Sequence, residues 1–361
     1  MTLVYMFGGL LCLIIGAEAL VRGASRIAAN LGVSSLIIGL TVVALGTSAP
    51  ELAVSMKAAA GEQASIAVGN VIGSNLFNIL FILGLSALLA PLTVSSQFIR
   101  MEIPLLIAVS LGVWGLGSDG TLGRFEGALL LVAFALYTIF LIYSGQSDQE
   151  QSGSAAAAIP GLSPEISPHW WRNLIFVLGG LGLLVLGSRW LVDSAVSLAQ
   201  AFGVSELVIG ITIIAAGTSL PEVVTSVVAG VRGERDIAVG NVIGSNLINT
   251  MGVLGFAGVI APEGIGITSA ALWFDIPVMI VATFACLPIF FTDGKISRWE
   301  GGLLLGYYVV YTVYLLMAAS HHKALPVLSA VLLYFALPLT VITLIVLTVQ
   351  ARFGKKGGSD P

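Results

Sequence analysis

Long apolar stretches, each broken by only a few polar residues, follow one another along almost the whole chain. Eleven of them approach the ~20 residues a helix needs to cross a bilayer: residues 3–20, 35–60, 65–89, 103–116, 125–143, 174–192, 206–231, 237–260, 272–291, 301–317 and 325–349. None shows the strict apolar–polar alternation of a barrel strand, so the pattern predicts helices. Residues 144–169 between the fifth and sixth stretches are polar, with three prolines and a Gln/Ser/Gly-rich run, and read as a flexible linker. The expected organisation is a first half at 1–143, the linker, a second half at 170–319, and an added helix with a basic tail at 320–361.

Two stretches are interrupted at mid-depth. Ala44-Leu45-Gly46-Thr47-Ser48-Ala49-Pro50-Glu51 places a glycine, two hydroxyls, a proline and an acid inside an apolar run. Ala215-Ala216-Gly217-Thr218-Ser219-Leu220-Pro221-Glu222 repeats it 171 positions later. The same offset relates Gly69-Asn70-Val71-Ile72-Gly73-Ser74-Asn75-Leu76-Phe77-Asn78 to Gly240-Asn241-Val242-Ile243-Gly244-Ser245-Asn246-Leu247-Ile248-Asn249. The halves are copies. Five spans per copy is an odd number, so the second enters from the opposite side, giving inverted repeats.

Composition sharpens this to an all-α polytopic membrane protein. Of 361 residues, 57% are hydrophobic and 9% charged, with a mean hydropathy of +1.02; soluble domains carry roughly 25% charged residues. The main partner is the lipid bilayer; the net charge of −4 says little because most of the surface faces lipid, no nucleic acid is expected, and no obligatory protein partner is evident. The first span is preceded by no Lys or Arg, which makes it a poor signal peptide and a good helix. Placing the N-terminus outside puts Arg22, Arg26, Arg100, Arg172, Arg232, Arg235, Lys295, Arg298, Arg352, Lys355 and Lys356 on the inner side. Only Lys57, Arg124, Arg189 and Lys323 then fall outside. The positive-inside rule therefore predicts an outer N-terminus and a cytoplasmic C-terminus, and if the host is a bacterium the membrane is its inner or plasma membrane.

Pro50 removes a backbone donor and Gly46 frees the backbone, so the helix is expected to break there and release carbonyls around Ala44, Leu45, Gly46 and Thr47. At membrane depth such carbonyls need a cation or water, and Glu51 follows one residue after the proline. The competing reading is a proline kink beside a protonated structural glutamate. Ser74 and Asn78, like Ser245 and Asn249, are four apart and share a helix face, with Asn75 and Asn246 beside it. Asn70 and Asn241 read as caps of helix starts. Glu18 with Arg22, and Arg189 with Asp193, form i,i+4 pairs of reversed charge order, read as snorkelling surface pairs.

The donor set is all oxygen. Cys12 and Cys286 lie far apart in apolar runs, and His169, His321 and His322 fall outside the spans, which argues against zinc or copper and for a hard cation. Two carboxylates balance Ca²⁺, whose six to eight oxygens they and nearby carbonyls can supply; Na⁺ is similar in size and competes for the same atoms. With no Ser-, His- or Cys-based catalytic spacing, transport is expected rather than enzyme chemistry, and no cofactor.

Present in both halves, G-T-S-x-P-E followed by G-N-V-I-G-S-N-x-x-N closely resembles the two α-repeats of the cation/Ca²⁺ antiporter superfamily, and within it the prokaryotic sodium/calcium exchangers. The resemblance covers the first ten spans. It implies that Glu51 and Glu222 bind Ca²⁺ with the backbone carbonyls of Thr47 and Thr218. Ala44, Ser48 and Ser74, with Ala215, Ser219 and Ser245, match contributors to flanking Na⁺ sites, and Asn78 and Asn249 match the remaining central polar pair. It further implies Na⁺-driven Ca²⁺ exchange by alternating access, with coupling to H⁺ as the alternative. Many relatives carry Asp where this chain has Asn249, which weakens any expectation of K⁺ co-transport. The eleventh span is an addition to the usual ten.

Overall fold

In the computed structural model, the described residues are 2–31, 33–61, 64–152, 170–202, 215–291, 294–320 and 322–331. They are overwhelmingly helical. In chain order, α1 spans Thr2–Leu31, α2 Ser35–Thr47, α3 Ala49–Ala59, α4 Ser65–Leu89, α5 Phe98–Leu116 and α6 Arg124–Ser152. The second half holds α7 (Trp170–Ala201), α8 (Ala215–Gly217), α9 (Leu220–Val231), α10 (Arg235–Ile260), α11 (Ala271–Phe290) and α12 (Arg298–Ala319). A last helix, α13, covers Leu325–Val331. Eight of these are long and apolar enough to cross a membrane, and the bent pair α2–α3 makes a ninth.

Several helices outrun the apolar windows that announce them. α1 continues through Glu18, Arg22 and Arg26 to Leu31, and α7 through Arg189 and Asp193 to Ala201. A polar face does not end a helix whose other face still packs. α6 likewise runs on to Ser152, into the stretch expected to be linker. The rest of that linker, residues 206–214 of the seventh span, the eleventh span beyond Val331 and the basic tail lie outside the described residues.

Glycines fix how the halves meet. A Cβ on Gly9 would lie 2.8 Å from Gly187 O, one on Gly16 2.8 Å from Gly180 O, and one on Gly23 2.9 Å from Asn173 O. Each step of seven forward along α1 is a step of seven back along α7, so these equivalent helices pack antiparallel, backbone against backbone. Gly127 of α6 meets Gly255 and Gly258 of α10 in the same way, and its equivalent Gly301 of α12 meets Gly84 and Ala87 of α4. α4 and α10 are the most buried spans.

Two short antiparallel ribbons follow the same exchange. β1 (Leu92–Thr93) pairs with β4 (Lys295–Ile296), and β2 (Thr121–Leu122) with β3 (Ile265–Gly266). α5 separates β1 from β2, so the ribbons lie at opposite ends of the molecule. β1 and β3 occupy equivalent turns of the two halves, and those turns therefore sit at opposite ends.

Candidate cation site

The site begins at the two helix breaks. Between α2 and α3 the axis bends by 48°. Ser48 sits at φ −79°, ψ 3° and Ser219 at φ −89°, ψ 7°, the sparsely allowed bridge region. Pro50 and Pro221 occupy the first turns of α3 and α9, where a missing N–H is tolerated. The break at Ser48 falls inside the expected segment, but it does not free every carbonyl expected there. Ser48 N–H still bonds Ala44 O at 3.0 Å, and Thr47 Oγ lies 3.3 Å from the same oxygen, so the Ala44 carbonyl is not released. Gly46 O is the one whose usual donor, four residues on, is the proline. In the second half the matching oxygen, Gly217 O, accepts from Ser188 Oγ of α7 at 2.6 Å.

Each break turns a glutamate inward. Glu51 and Glu222 are 1% and 0% exposed, and each is held by a serine of the opposite half. Ser219 Oγ donates to Glu51 Oε1 at 2.8 Å and lies 3.3 Å from Ser74 Oγ. Ser48 Oγ donates to Glu222 Oε1 at 3.2 Å. These crossed bonds tie each acid to the helix break of the other half. Thr218 lies at the second break with its hydroxyl unpartnered among the described residues, whereas the Thr47 hydroxyl donates to Asn241 Oδ1 at 2.9 Å. Ala215 opens α8 just before that break. Ser245 is buried on α10, but its hydroxyl has no partner among the described residues, so the Ser74–Ser219 contact has no counterpart at Ser48.

Asn78 and Asn249 sit in the middle of α4 and α10, where the helix widens to i→i+5 bonding over Phe77–Ile82 and Ile248–Val253. Leu83 N–H reaches back to Asn78 O, and Leu254 N–H to Asn249 O. Such wide turns recur at functional sites. α3 packs on the wide turn carrying Asn249, and α9 on that carrying Asn78.

Asn70 and Asn241 correct the sequence reading. The helices start at Ser65 and Arg235, five or six residues earlier, so neither asparagine is a cap. Asn70 Nδ2 instead donates to Ser55 Oγ at 2.9 Å and Glu51 O at 3.3 Å. Asn241 Nδ2 does the same to Ser226 Oγ at 2.9 Å and Glu222 O at 3.4 Å, and its Oδ1 accepts from Thr47 at 2.9 Å. They clamp each acid-bearing helix to the span that follows it.

Four acceptor oxygens in this region, Glu51 Oε2, Glu222 Oε2, Asn78 Oδ1 and Asn249 Oδ1, are buried with no hydrogen-bond donor among the described residues. Buried polar atoms are normally satisfied, and an orphaned one costs about 1–3 kcal/mol. The hydroxyls of Thr218 and Ser245 are also without a partner there, but no side-chain N–H is, so the four oxygens on symmetric residues form a set that a cation could satisfy. No cluster of three or more His, Cys, Asp or Glu that could hold a metal ion occurs among the described residues.

Two other contacts escaped the sequence reading. Glu102 of α5 is fully buried and accepts from Tyr137 Oη at 2.6 Å and Gln97 Nε2 at 3.0 Å; its equivalent Asp275 accepts from Tyr311 Oη at 3.0 Å. Glu18 pairs with Arg22 at 2.5 Å, and also with Arg232 at the end of α9, so the pair read from spacing is part of a link between helices.

Comparison with known proteins gives the family and the fold. The sodium/calcium exchanger protein family matches residues 1–143 and 172–317. The CaxA protein of Alkalimonas amylolytica is 43% identical over 322 residues, covering 88% of this chain and 98% of its own. The sodium/calcium exchanger MaX1 of Methanosarcina acetivorans is 32% identical over 338 residues, covering 85% and 96%. A solved structure of the sodium-calcium exchanger NCX_Mj, soaked with zero Na⁺ and Ca²⁺, superposes with a TM-score of 0.74 at 29% identity, covering 87% of this chain and 98% of that one.

Proposed function

Because the chain belongs to the sodium/calcium exchanger family, integral membrane cation/Ca²⁺ antiporters rather than enzymes, we propose that it exchanges Na⁺ for Ca²⁺ at the site between the two breaks. The observation that carries this reading is the set of four orphaned oxygens on Glu51, Glu222, Asn78 and Asn249. In it, Ca²⁺ takes Glu51 and Glu222 with the carbonyls of Thr47 and Thr218. Na⁺ uses the flanking positions Ala44, through the second lone pair of its carbonyl, Ser48, Ser74, Ala215, Ser219 and Ser245.

Charge explains why such a site exchanges rather than leaks. Two facing carboxylates in a dry interior are costly while empty, several kcal/mol per ion. Carrying the site across the membrane is therefore favoured only when cations neutralise it, one Ca²⁺ in one direction and Na⁺ in the other. The inverted halves supply the two access states, each half playing in one state the part its partner plays in the other. The reading places the N-terminus outside and the β1·β4 ribbon, with Lys295, on the cytoplasmic side.

The test is uptake of radiolabelled Ca²⁺ into vesicles reconstituted with the full chain, with Na⁺ and H⁺ gradients imposed separately. Uptake driven by an outward Na⁺ gradient at equal pH supports the proposal. Uptake driven only by a pH gradient in Na⁺-free buffer replaces Na⁺ with H⁺ as the coupling ion.

A further inference from the structure

An asparagine beside a cation has a problem that an aspartate lacks. A carboxylate presents oxygen whichever way it turns; an amide presents oxygen one way and a repelling N–H₂ the other. Both Asn78 and Asn249 face this choice, and the surrounding side chains decide it.

The chain of decisions starts at Thr250. Its single hydroxyl proton goes to Asn246 O at 2.7 Å, so its oxygen can only accept from Asn75 Nδ2 at 2.8 Å. That fixes Asn75 with its amide nitrogen toward Thr250 and its Oδ1 toward Asn249. Asn249 must then donate Nδ2 to Asn75 Oδ1, at 3.3 Å, and its own Oδ1 is left without a donor. A second fixed point is the Asn75 backbone carbonyl, an obligatory acceptor, which takes Asn246 Nδ2 at 3.3 Å. Asn246 Oδ1 therefore faces Asn78 Nδ2 at 2.9 Å, and Asn78 Oδ1 is the oxygen left over. Every member is at most 1% exposed, so water does not relax the choice. Thr250 belongs to the second half alone; its equivalent is Ile79.

We propose that Asn75 and Asn246 are positioning residues that absorb the amide N–H groups of the opposite half's Asn249 and Asn78, so that both present only oxygen to the transported cation, with Thr250 setting the direction of the Asn75–Asn249 branch and the Asn75 backbone carbonyl that of the Asn246–Asn78 branch. This rests on the reading of Glu51, Glu222, Asn78 and Asn249 as the cation site. Partners one step behind a metal ligand typically change metal affinity by roughly 10–100-fold when removed.

The experiment measures the Ca²⁺ concentration for half-maximal Na⁺-driven uptake in vesicles. Asn75→Leu, close in volume but without an acceptor, is expected to raise it roughly tenfold or more. In an Asn249→Asp background, where both terminal atoms are oxygens, the same substitution is expected to raise it by no more than about threefold, a non-additivity of the size seen for contacting residues. Equal effects of Asn75→Leu in the two backgrounds overturn the proposal, because a packing role is blind to the identity of residue 249. Thr250→Val is the gentler variant should Asn75→Leu not fold; a rise of the same sign supports the proposal and an unchanged half-saturation overturns it. Glu51→Gln run alongside separates the two levels: if it too leaves the Ca²⁺ dependence unchanged, the site assignment itself fails.

Discussion

Replacing Glu51 or Glu222 by glutamine changes one oxygen to N–H₂ and removes one charge, with almost no change in volume. At Glu51 the amide oxygen can keep the 2.8 Å bond from Ser219, which then points N–H₂ into the position of the orphaned Oε2. The opposite rotamer sends N–H₂ at the Ser219 hydroxyl and breaks that bond. Electrostatics sets the scale: a carboxylate ~4 Å from a unit charge is worth about 4 kcal/mol at an effective dielectric of ~20. A monovalent ion loses roughly that much, about a thousandfold in affinity, and a divalent ion loses twice as much in the logarithm. Both variants are therefore expected to abolish Na⁺-driven Ca²⁺ uptake in vesicles while unfolding in detergent at a temperature no lower than the parent. Na⁺ affinity is expected to fall by the smaller factor. Saturable Ca²⁺ uptake by either variant, with half-saturation within about tenfold of the parent, would refute the reasoning.

Three further outcomes follow from the packing. Gly180→Ala places a methyl 2.7 Å from both Gly16 O and Leu20 N, backbone atoms that cannot turn aside, and is expected to cost about 1–3 kcal/mol of overpacking; Gly179→Ala, with nothing within 4 Å, is the matched control, and equal unfolding temperatures for the two would contradict this. Tyr137→Phe removes the 2.6 Å donor to buried Glu102 and is expected to destabilise by about 1–3 kcal/mol, with part of the loss recovered in the double variant Tyr137→Phe/Glu102→Leu; denaturant unfolding of the four chains measures this. Glu18→Gln and Arg232→Gln each expose only one half of a partly solvated pair, so each is expected to shift stability by less than ~1 kcal/mol, with the shift shrinking in high salt.

The candidate site stands out in the sequence because its ingredients are expensive. A proline, a glycine and an acid in an apolar run announce themselves, and the 171-residue offset says they work as a pair. The clamping by Asn70 and Asn241 was not legible, because it depends on where a helix starts. An apolar window marks the lipid-facing length, not the first turn, and six residues move an asparagine from cap to cross-helix donor. Asn75 and Asn246 were placed beside the site's face, but their bonds cross from one half to the other and leave no trace in local spacing. The Glu102–Tyr137 pair joins α5 to α6 across a turn and has no periodic signature. The Ala44 carbonyl, expected free, still finds a donor in Ser48 N–H before Pro50 takes effect.

The two small ribbons carry a consequence for biosynthesis. Leu92 pairs with Ile296, and Leu122 with Ile265, so neither turn of the first half can be closed from its own sequence. The outer helices are exchanged in the same sense: α6 seats its Gly127 on α10, and α12 seats its Gly301 on α4. A ribosome delivers the first half long before the strands that complete it, and contacts so distant in sequence are slow to form. Until β4 emerges, β1 is an open strand edge at the end of a helix bundle and a ready partner for the wrong chain. A chain cut between the halves but made as two co-expressed fragments is therefore expected to assemble into one molecule, whereas the first fragment made alone is expected to pair with its own copy.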